Sequence, residues 1–181
     1  MNHPFIVLEG LSGSGKTTIA RKLAEKIGGV FYSTPCSVFR QARDLVDKEV
    51  NAQSRFLFYL ASLMQSSEEV KRIIFKQPVV CDRYILSTMC WHKVMGVDVH
   101  LLNPFIEKNL LNPTHQFLIT CESVIRKRRL IKRGLTINDE NELKDNNEDK
   151  FFREYQKYHI KEVDNSQDDP DLAVKKIIAL L

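Results

Sequence analysis

Phe5-Ile6-Val7-Leu8-Glu9-Gly10-Leu11-Ser12-Gly13-Ser14-Gly15-Lys16-Thr17-Thr18 is the stretch whose reading decides the fold. Phe5 to Leu8 form an apolar run without alternation, which predicts a parallel strand buried on both faces. The run breaks into three glycines, Gly10, Gly13 and Gly15, then Lys16 and Thr17, and a helical pattern follows over Thr18–Ile27. That is G-x-x-x-x-G-K-[ST] between a strand and a helix, the context the pattern requires. Such glycines let backbone N–H groups turn inward around an anion. The helix N-terminus adds partial positive charge at the same place. Residues 10–18, with Leu11, Ser12 and Ser14 between the glycines, are therefore candidates for cradling nucleotide phosphates. Lys16 is the candidate for reaching the β- and γ-phosphates, and the Thr17 hydroxyl for holding Mg²⁺. A chance glycine turn before an ordinary helix is the competing explanation, and the strand and helix together disfavour it.

Outward from this stretch, Gly28-Gly29 ends the helix and Val30–Ser33 reads as a second strand. Ser37 is placed to cap a helix through Lys48, and 52–76 reads as a long helix with Phe56, Tyr59, Leu60 and Leu63 on one face. Pro78–Asp82 is a third apolar strand ending in an acid, as expected of a strand that carries a carboxylate to a metal. An aspartate there also serves simply as a helix cap. Helices over 85–95 and 99–110, a strand over 116–120 and a basic helical run from Arg126 to Arg133 follow. Residues 135–147 are polar and without periodicity, which predicts a loop. A helix with Phe151, Phe152 and Tyr155, a strand over 159–164 and a helix opened by Asp171 complete the pattern. Strands alternating with helices throughout predict a parallel sheet covered on both faces.

The 181 residues, 43% hydrophobic, suffice for one buried core, so 1–181 reads as a single domain. A net charge of +4 from dispersed basic residues suits an anionic small molecule and does not indicate nucleic acid. Cys36, Cys81, Cys90 and Cys121 lack metal-site spacing, and two lie in apolar strand-like runs. Buried free thiols, no apolar run approaching 18 residues and no leader pattern give the expectation of a cytoplasmic chain with no membrane partner.

With these residues in view the chain resembles the thymidylate kinase family of nucleoside monophosphate kinases. The matching stretches are Phe5–Thr18, Val80-Cys81-Asp82-Arg83-Tyr84 with Ser87, Arg129…Arg133-Gly134, Phe151-Phe152…Tyr155…Tyr158 and Val163–Gln167, in family order. The resemblance implies a three-layer α/β/α fold with a five-stranded parallel sheet, order 2-3-1-4-5, and a lid over about 129–147. It implies ATP as donor, with Lys16 and residues 10–18 on its phosphates and Ser166 and Gln167 against the adenine. It implies Mg²⁺ on Thr17 and Asp82, with Asp82 alternatively orienting or deprotonating the acceptor, and outer-shell work for Glu9. Arg83, with Ser87 following, would clamp the acceptor phosphate or the γ-phosphate. Arg129 and Arg133 would be the lid arginines of members whose phosphate loop lacks a basic residue, as Ser14 does here. Family members also dimerise through helices matching 50–76 and 84–110, which makes a homodimer an expectation.

The acceptor side departs from the family. Ser12 stands where the family has an aspartate for the deoxyribose 3′-hydroxyl. Ser33-Thr34-Pro35-Cys36 stands for Thr-Arg-Glu-Pro, whose arginine grips the monophosphate. Phe58 matches the aromatic that stacks on thymine, but Ser62 replaces the base-reading arginine. Arg40, Arg43 and Arg55 are the candidate replacements for the phosphate grip, each equally explained as an exposed helix arginine. The leading expectation is a kinase of a nucleoside monophosphate, and the runner-up a kinase of a nucleoside or other hydroxyl compound. A nucleotide-binding regulator without an acceptor is a further alternative. A GTPase switch is disfavoured, since neither Asn-Lys-x-Asp nor Asp-x-x-Gly occurs.

Overall fold

The computed structural model describes residues 3–144 and 147–181. β1 (Phe5–Glu9), β2 (Val30–Ser33), β3 (Val79–Asp82), β4 (His115–Thr120) and β5 (Lys161–Asp164) form one parallel sheet of order β2-β3-β1-β4-β5, as the sequence led us to expect. The apolar run of β1 is buried because alternate residues enter different layers. Phe5 and Val7 join Phe56, Leu60 and Leu63 of α4 (Ala52–Ile73), with Met89 of α5 (Ile85–Val94) and Ile106 of α6 (Asn103–Asn109). Ile6 and Leu8 face Ile19 and Leu23 of α1 (Lys16–Lys26), with Val174 and Ile177 of α10 (Pro170–Ile178). Register aligns Leu8 and Ser33 with Asp82, so the phosphate loop, the loop after β2 and the acid of β3 leave the sheet at one level. Ligands of open α/β sheets bind at such carboxyl ends.

Several expected elements differ in detail. The helix expected from Ser37 to Lys48 is two, α2 (Ser37–Arg40) and α3 (Arg43–Glu49). The helix expected over 99–110 opens as a 3-10 turn, Val99–Leu102, before α6, where Pro104 in the first turn lacks the N–H that a continuous helix would use. The strand expected from His159 begins at Lys161, and Asp169, not Asp171, caps the last helix. After α7 (Ser123–Arg133) the stretch expected as a loop holds α8 (Ile137–Leu143), followed by α9 (Asn147–Gln156). Thr136 caps α8 reciprocally with Asp139, and the helix buries Asp139 and Glu142 instead of an apolar stripe. Hydrophobic periodicity is blind to such a helix. Residues 145 and 146, within the 129–147 segment, lie outside the described residues. All four cysteines are free, with Cys121 half-buried beyond β4 and the other three buried.

Candidate active site

The phosphate loop fits because its glycines have no side chains. Gly10 has φ 135°, and a Cβ on it would stand 2.4 Å from the Ile119 carbonyl oxygen of β4. Gly15, at φ 96°, turns the chain into α1. Lys16 is 4% exposed and folds over the loop, donating from Nζ to Leu11 O at 2.6 Å and Ser14 Oγ at 3.3 Å. Burial, and then the facing Arg83 guanidinium, push its ammonium down to about 7, against the attraction of Asp82 and Glu142. Thr17 Oγ1 donates to Asp82 Oδ2, joining the loop to the end of β3. Asp82 Oδ1 is buried with no partner.

Arg83 follows in a left-handed conformation, φ 68°, which aims its side chain back at the loop. Its Nη1 donates to Gly10 O at 3.0 Å and Ser87 Oγ at 3.2 Å, and its Nη2 to Ser12 Oγ at 3.2 Å. Glu9 is fully buried. Its Oε1 accepts from the Tyr84 N–H at 3.1 Å and its Oε2 from Ser87 Oγ, so it braces the Asp82–Tyr84 turn. Burial raises its carboxyl above the usual range. Its two oxygens are thus both engaged with the turn that follows Asp82.

These groups form one end of a cleft of about 750 Å³. The far wall is Arg55 and Tyr59 of α4 with Thr88, Trp91 and His92 of α5. Arg55 stacks its guanidinium 3.8 Å from the Trp91 ring centroid. His92 is 2% exposed, and its Nδ1 lies 2.7 Å from the Thr88 carbonyl, which only accepts, so Nδ1 carries the proton. Burial pushes the ring down to about 4, leaving it neutral with Nε2 an unpaired acceptor. Trp91 Nε1 is likewise buried and unpaired. Arg40 lines the cleft from the side, held to Ser33 Oγ at 2.9 Å and Pro35 O at 3.1 Å.

Phe58 and Ser62 do not line this cleft: the Phe58 ring packs on Phe39 at 5.4 Å, and the buried Ser62 Oγ accepts from Cys36 N at 3.3 Å. Ser166 and Gln167 also lie outside it. Ser166 Oγ accepts from Glu122 N at 2.9 Å and lines a separate pocket of about 280 Å³ with Leu11, while Gln167 is exposed.

α7 and α8 cover the cleft. Arg126, 1% exposed, donates from Nε to Ser12 O at 2.9 Å, from Nη2 to Glu142 and from Nη1 to Glu148. Glu142 in turn accepts the Ser12 N–H at 3.0 and 3.1 Å. Arg129 donates to Gly13 O at 3.1 Å and Asp168 at 2.6 Å. Arg133, 53% exposed, lines the cleft and is held by Asp139 at 2.7 Å. Trp91, His92, Asp47, Asn138, Arg126 and Glu142 were not singled out from the sequence. The capping pattern Thr136-x-x-Asp139 is the legible pointer to α8, since such a pattern marks the start of a helix.

An anion cradle with lysine, a hydroxyl–carboxylate corner and a second polar wall facing them define a phosphotransferase with the P-loop fold. The chain belongs to the thymidylate kinase family, whose model, described as thymidylate kinase, matches residues 8–177. It is an ATP-dependent nucleotide monophosphate kinase of that family. A probable thymidylate kinase of Methanocaldococcus jannaschii is 26% identical over 185 residues, spanning 100% of this chain and 97% of the relative. A thymidylate kinase of Coprothermobacter proteolyticus is 32% identical over 139 residues, 70% of this chain and 71% of the relative. The crystal structure of thymidylate kinase from Ehrlichia chaffeensis aligns with TM-score 0.71 at 22% identity, covering 99% of each chain. Deoxyadenosine kinase from M. mycoides shares the fold at TM-score 0.65 and 20% identity, covering 97% of each chain. Among the described residues no helix is long and apolar enough to cross a membrane.

Proposed function

We propose that the chain moves the γ-phosphate of ATP onto the phosphate of a deoxynucleoside monophosphate, with thymidylate the first acceptor to test. One observation carries this reading: residues whose buried polar atoms lack partners line both ends of the same cleft. They are Asp82 Oδ1 beside the phosphate loop and, on the far wall, Trp91 Nε1, His92 Nε2 and Arg55 Nε, the last within ion-pair distance of Asp47. Such atoms are costly unless a ligand pairs them. A donor and an acceptor on neighbouring rings match the donor–acceptor edge of a nucleobase. Relatives called thymidylate kinase support thymine as that base.

Mg²⁺ suits the Thr17–Asp82 corner, where a hydroxyl meets a carboxylate with one oxygen unpaired. Among the described residues no three His, Cys, Asp or Glu gather into a metal cluster, so the ion would take its other ligands from phosphate and water. Bound there, it would neutralise charge on the β- and γ-phosphate oxygens. Lys16 exchanges Leu11 O and Ser14 Oγ for phosphate oxygens. Arg83, already aimed at Ser12, orients the acceptor phosphate, with Arg40 beside it. Residues 129–147 act as a lid: Arg129 stays braced on Gly13 and Asp168, while Arg133 turns its guanidinium to the transferring group and water is excluded. Exposed Leu57 and Met64 on α4 support a homodimer, and the four free thiols support a cytoplasmic setting.

The test is ADP release by the purified chain with ATP, with and without Mg²⁺, against deoxynucleoside monophosphates and free nucleosides. Mg²⁺-dependent turnover with a monophosphate is expected. Turnover with nucleosides alone, or none that depends on an acceptor, overturns the reading.

A further inference from the structure

The far wall of the cleft is tied to the cover above it through one buried carboxylate. Asp47 of α3 is 7% exposed, and each of its oxygens is used. Oδ1 accepts from Tyr59 OH at 2.8 Å and pairs with Arg55 Nε at 3.1 Å. Oδ2 accepts from Asn138 Nδ2 at 2.6 Å and pairs with Arg43 Nε at 3.4 Å. Arg55 Nη2 donates to Asn138 Oδ1, so the Asn138 amide is held on both sides, donor to acid and acceptor to base. That arrangement fixes the amide orientation and welds α8 to α3 and α4. The next residue, Asp139, holds Arg133. On the other side of the network, Arg55 lies over Trp91, the single tryptophan of the chain.

We infer that Asp47 and Asn138 are positioning residues, a latch that docks α8 on the acceptor wall and so sets Arg133 over the cleft. The contiguous path is Trp91, Arg55, Asn138 with Asp139, then Arg133. A base seated against Trp91 steadies the Arg55 stack and, through it, the amide clamp. The acceptor end thereby biases the arginine at the transfer end, by a route that touches neither the sheet nor the phosphate loop. This inference rests on the reading of 129–147 as a lid and of the far wall as the acceptor end. A clamp of charge-assisted hydrogen bonds has the strength such coupling needs.

The experiment pairs hydrogen exchange of residues 137–143 with steady-state kinetics and Trp91 fluorescence. In the ligand-free protein, Asn138→Ala and Asp47→Asn should each speed exchange of 137–143. The double variant Asp47→Asn/Asn138→Asp, which exchanges acid and amide across the contact, should restore slow exchange. In turnover, Asn138→Ala should lower kcat by about 10-fold, equivalent to about 1.4 kcal/mol, with the KM for ATP unchanged, and should lower the melting temperature because Asp47 and Arg55 lose a buried partner. The swap should recover most of that loss, a recovery that a merely structural role would not give. Unchanged exchange in Asn138→Ala, or a swap no better than the single variants, overturns the latch. Thymidylate alone should change Trp91 fluorescence and slow exchange of 137–143 in the wild type. A fluorescence response without slowed exchange overturns the coupling. If no monophosphate changes the fluorescence, the acceptor reading and the coupling both fall, while the ligand-free exchange still decides the latch.

Discussion

Replacing Arg126 by methionine should destabilise the chain far more than the loss of a surface arginine would. The side chain is 1% exposed, and its guanidinium joins Ser12 O, Glu142 and Glu148. Methionine keeps the aliphatic stem but strands Glu142, itself 5% exposed, with the Ser12 N–H as its remaining partner. Removing one member of a buried ion pair costs about 3–5 kcal/mol. The orphaned Ser12 carbonyl adds about 1 kcal/mol. At roughly 2–4 °C per kcal/mol for a chain of this size, Tm should fall by about 8–24 °C. In Arg126→Met/Glu142→Gln the stranded charge is gone while an amide oxygen still accepts the Ser12 N–H. The double variant should therefore recover about 2 kcal/mol relative to Arg126→Met. Urea melts of the wild type, both single variants and the double variant give the coupling directly. Losses that simply add would refute the claim that these two charges stabilise each other across the phosphate loop.

Lys16 sets a pH dependence. With its ammonium pushed down to about 7, it binds fewer protons when folded than when unfolded between pH 7 and its ordinary 10.5, so its contribution to stability rises with pH across that window. Phosphates require the charged form, so ATP binding should take up a proton above pH 7 and weaken toward about tenfold per pH unit. Calorimetry at pH 8 in two buffers checks this, and no proton uptake would contradict it. Gly10→Ala, with its Cβ 2.4 Å from Ile119 O at φ 135°, should cost about 3 kcal/mol or more. Gly28→Ala, at φ 64° with nothing within 4 Å, should cost only about 1–2 kcal/mol; equal losses in a thermal melt would refute the steric account. On the role proposed for Arg133 in the closed state, Arg133→Ala should lower kcat at least 10²-fold while leaving ATP affinity near wild type. A change confined to KM would move Arg133 out of that role.

The sheet and phosphate loop were legible because each rests on local chemistry. An apolar β-branched run, three glycines at fixed spacing and an acid-tipped strand need no partner to be recognised. The boundaries near Pro104 and Gln41 were not, because single-turn breaks leave the hydrophobic pattern intact. α8 was missed for a different reason: its buried face is Asp139 and Glu142, partnered by Arg133 and Arg126 six and sixteen residues away. Phe58 illustrates the limit of aligning single positions. Its neighbour Tyr59 reaches the cleft, whereas Phe58 is taken up by Phe39. Trp91 and His92 lie on an apolar helix whose sequence gives no sign that two ring nitrogens stay unpaired.

The cleft draws its phosphate end from strand termini and its opposite wall from two helices, with Arg55 and Tyr59 a turn apart on one and Trp91 and His92 adjacent on the other. The two halves can therefore diverge at different rates. Single replacements on a helix flank alter that wall of the cleft, while the strand ends opposite keep their register. A lineage could in this way change its client without rebuilding its engine.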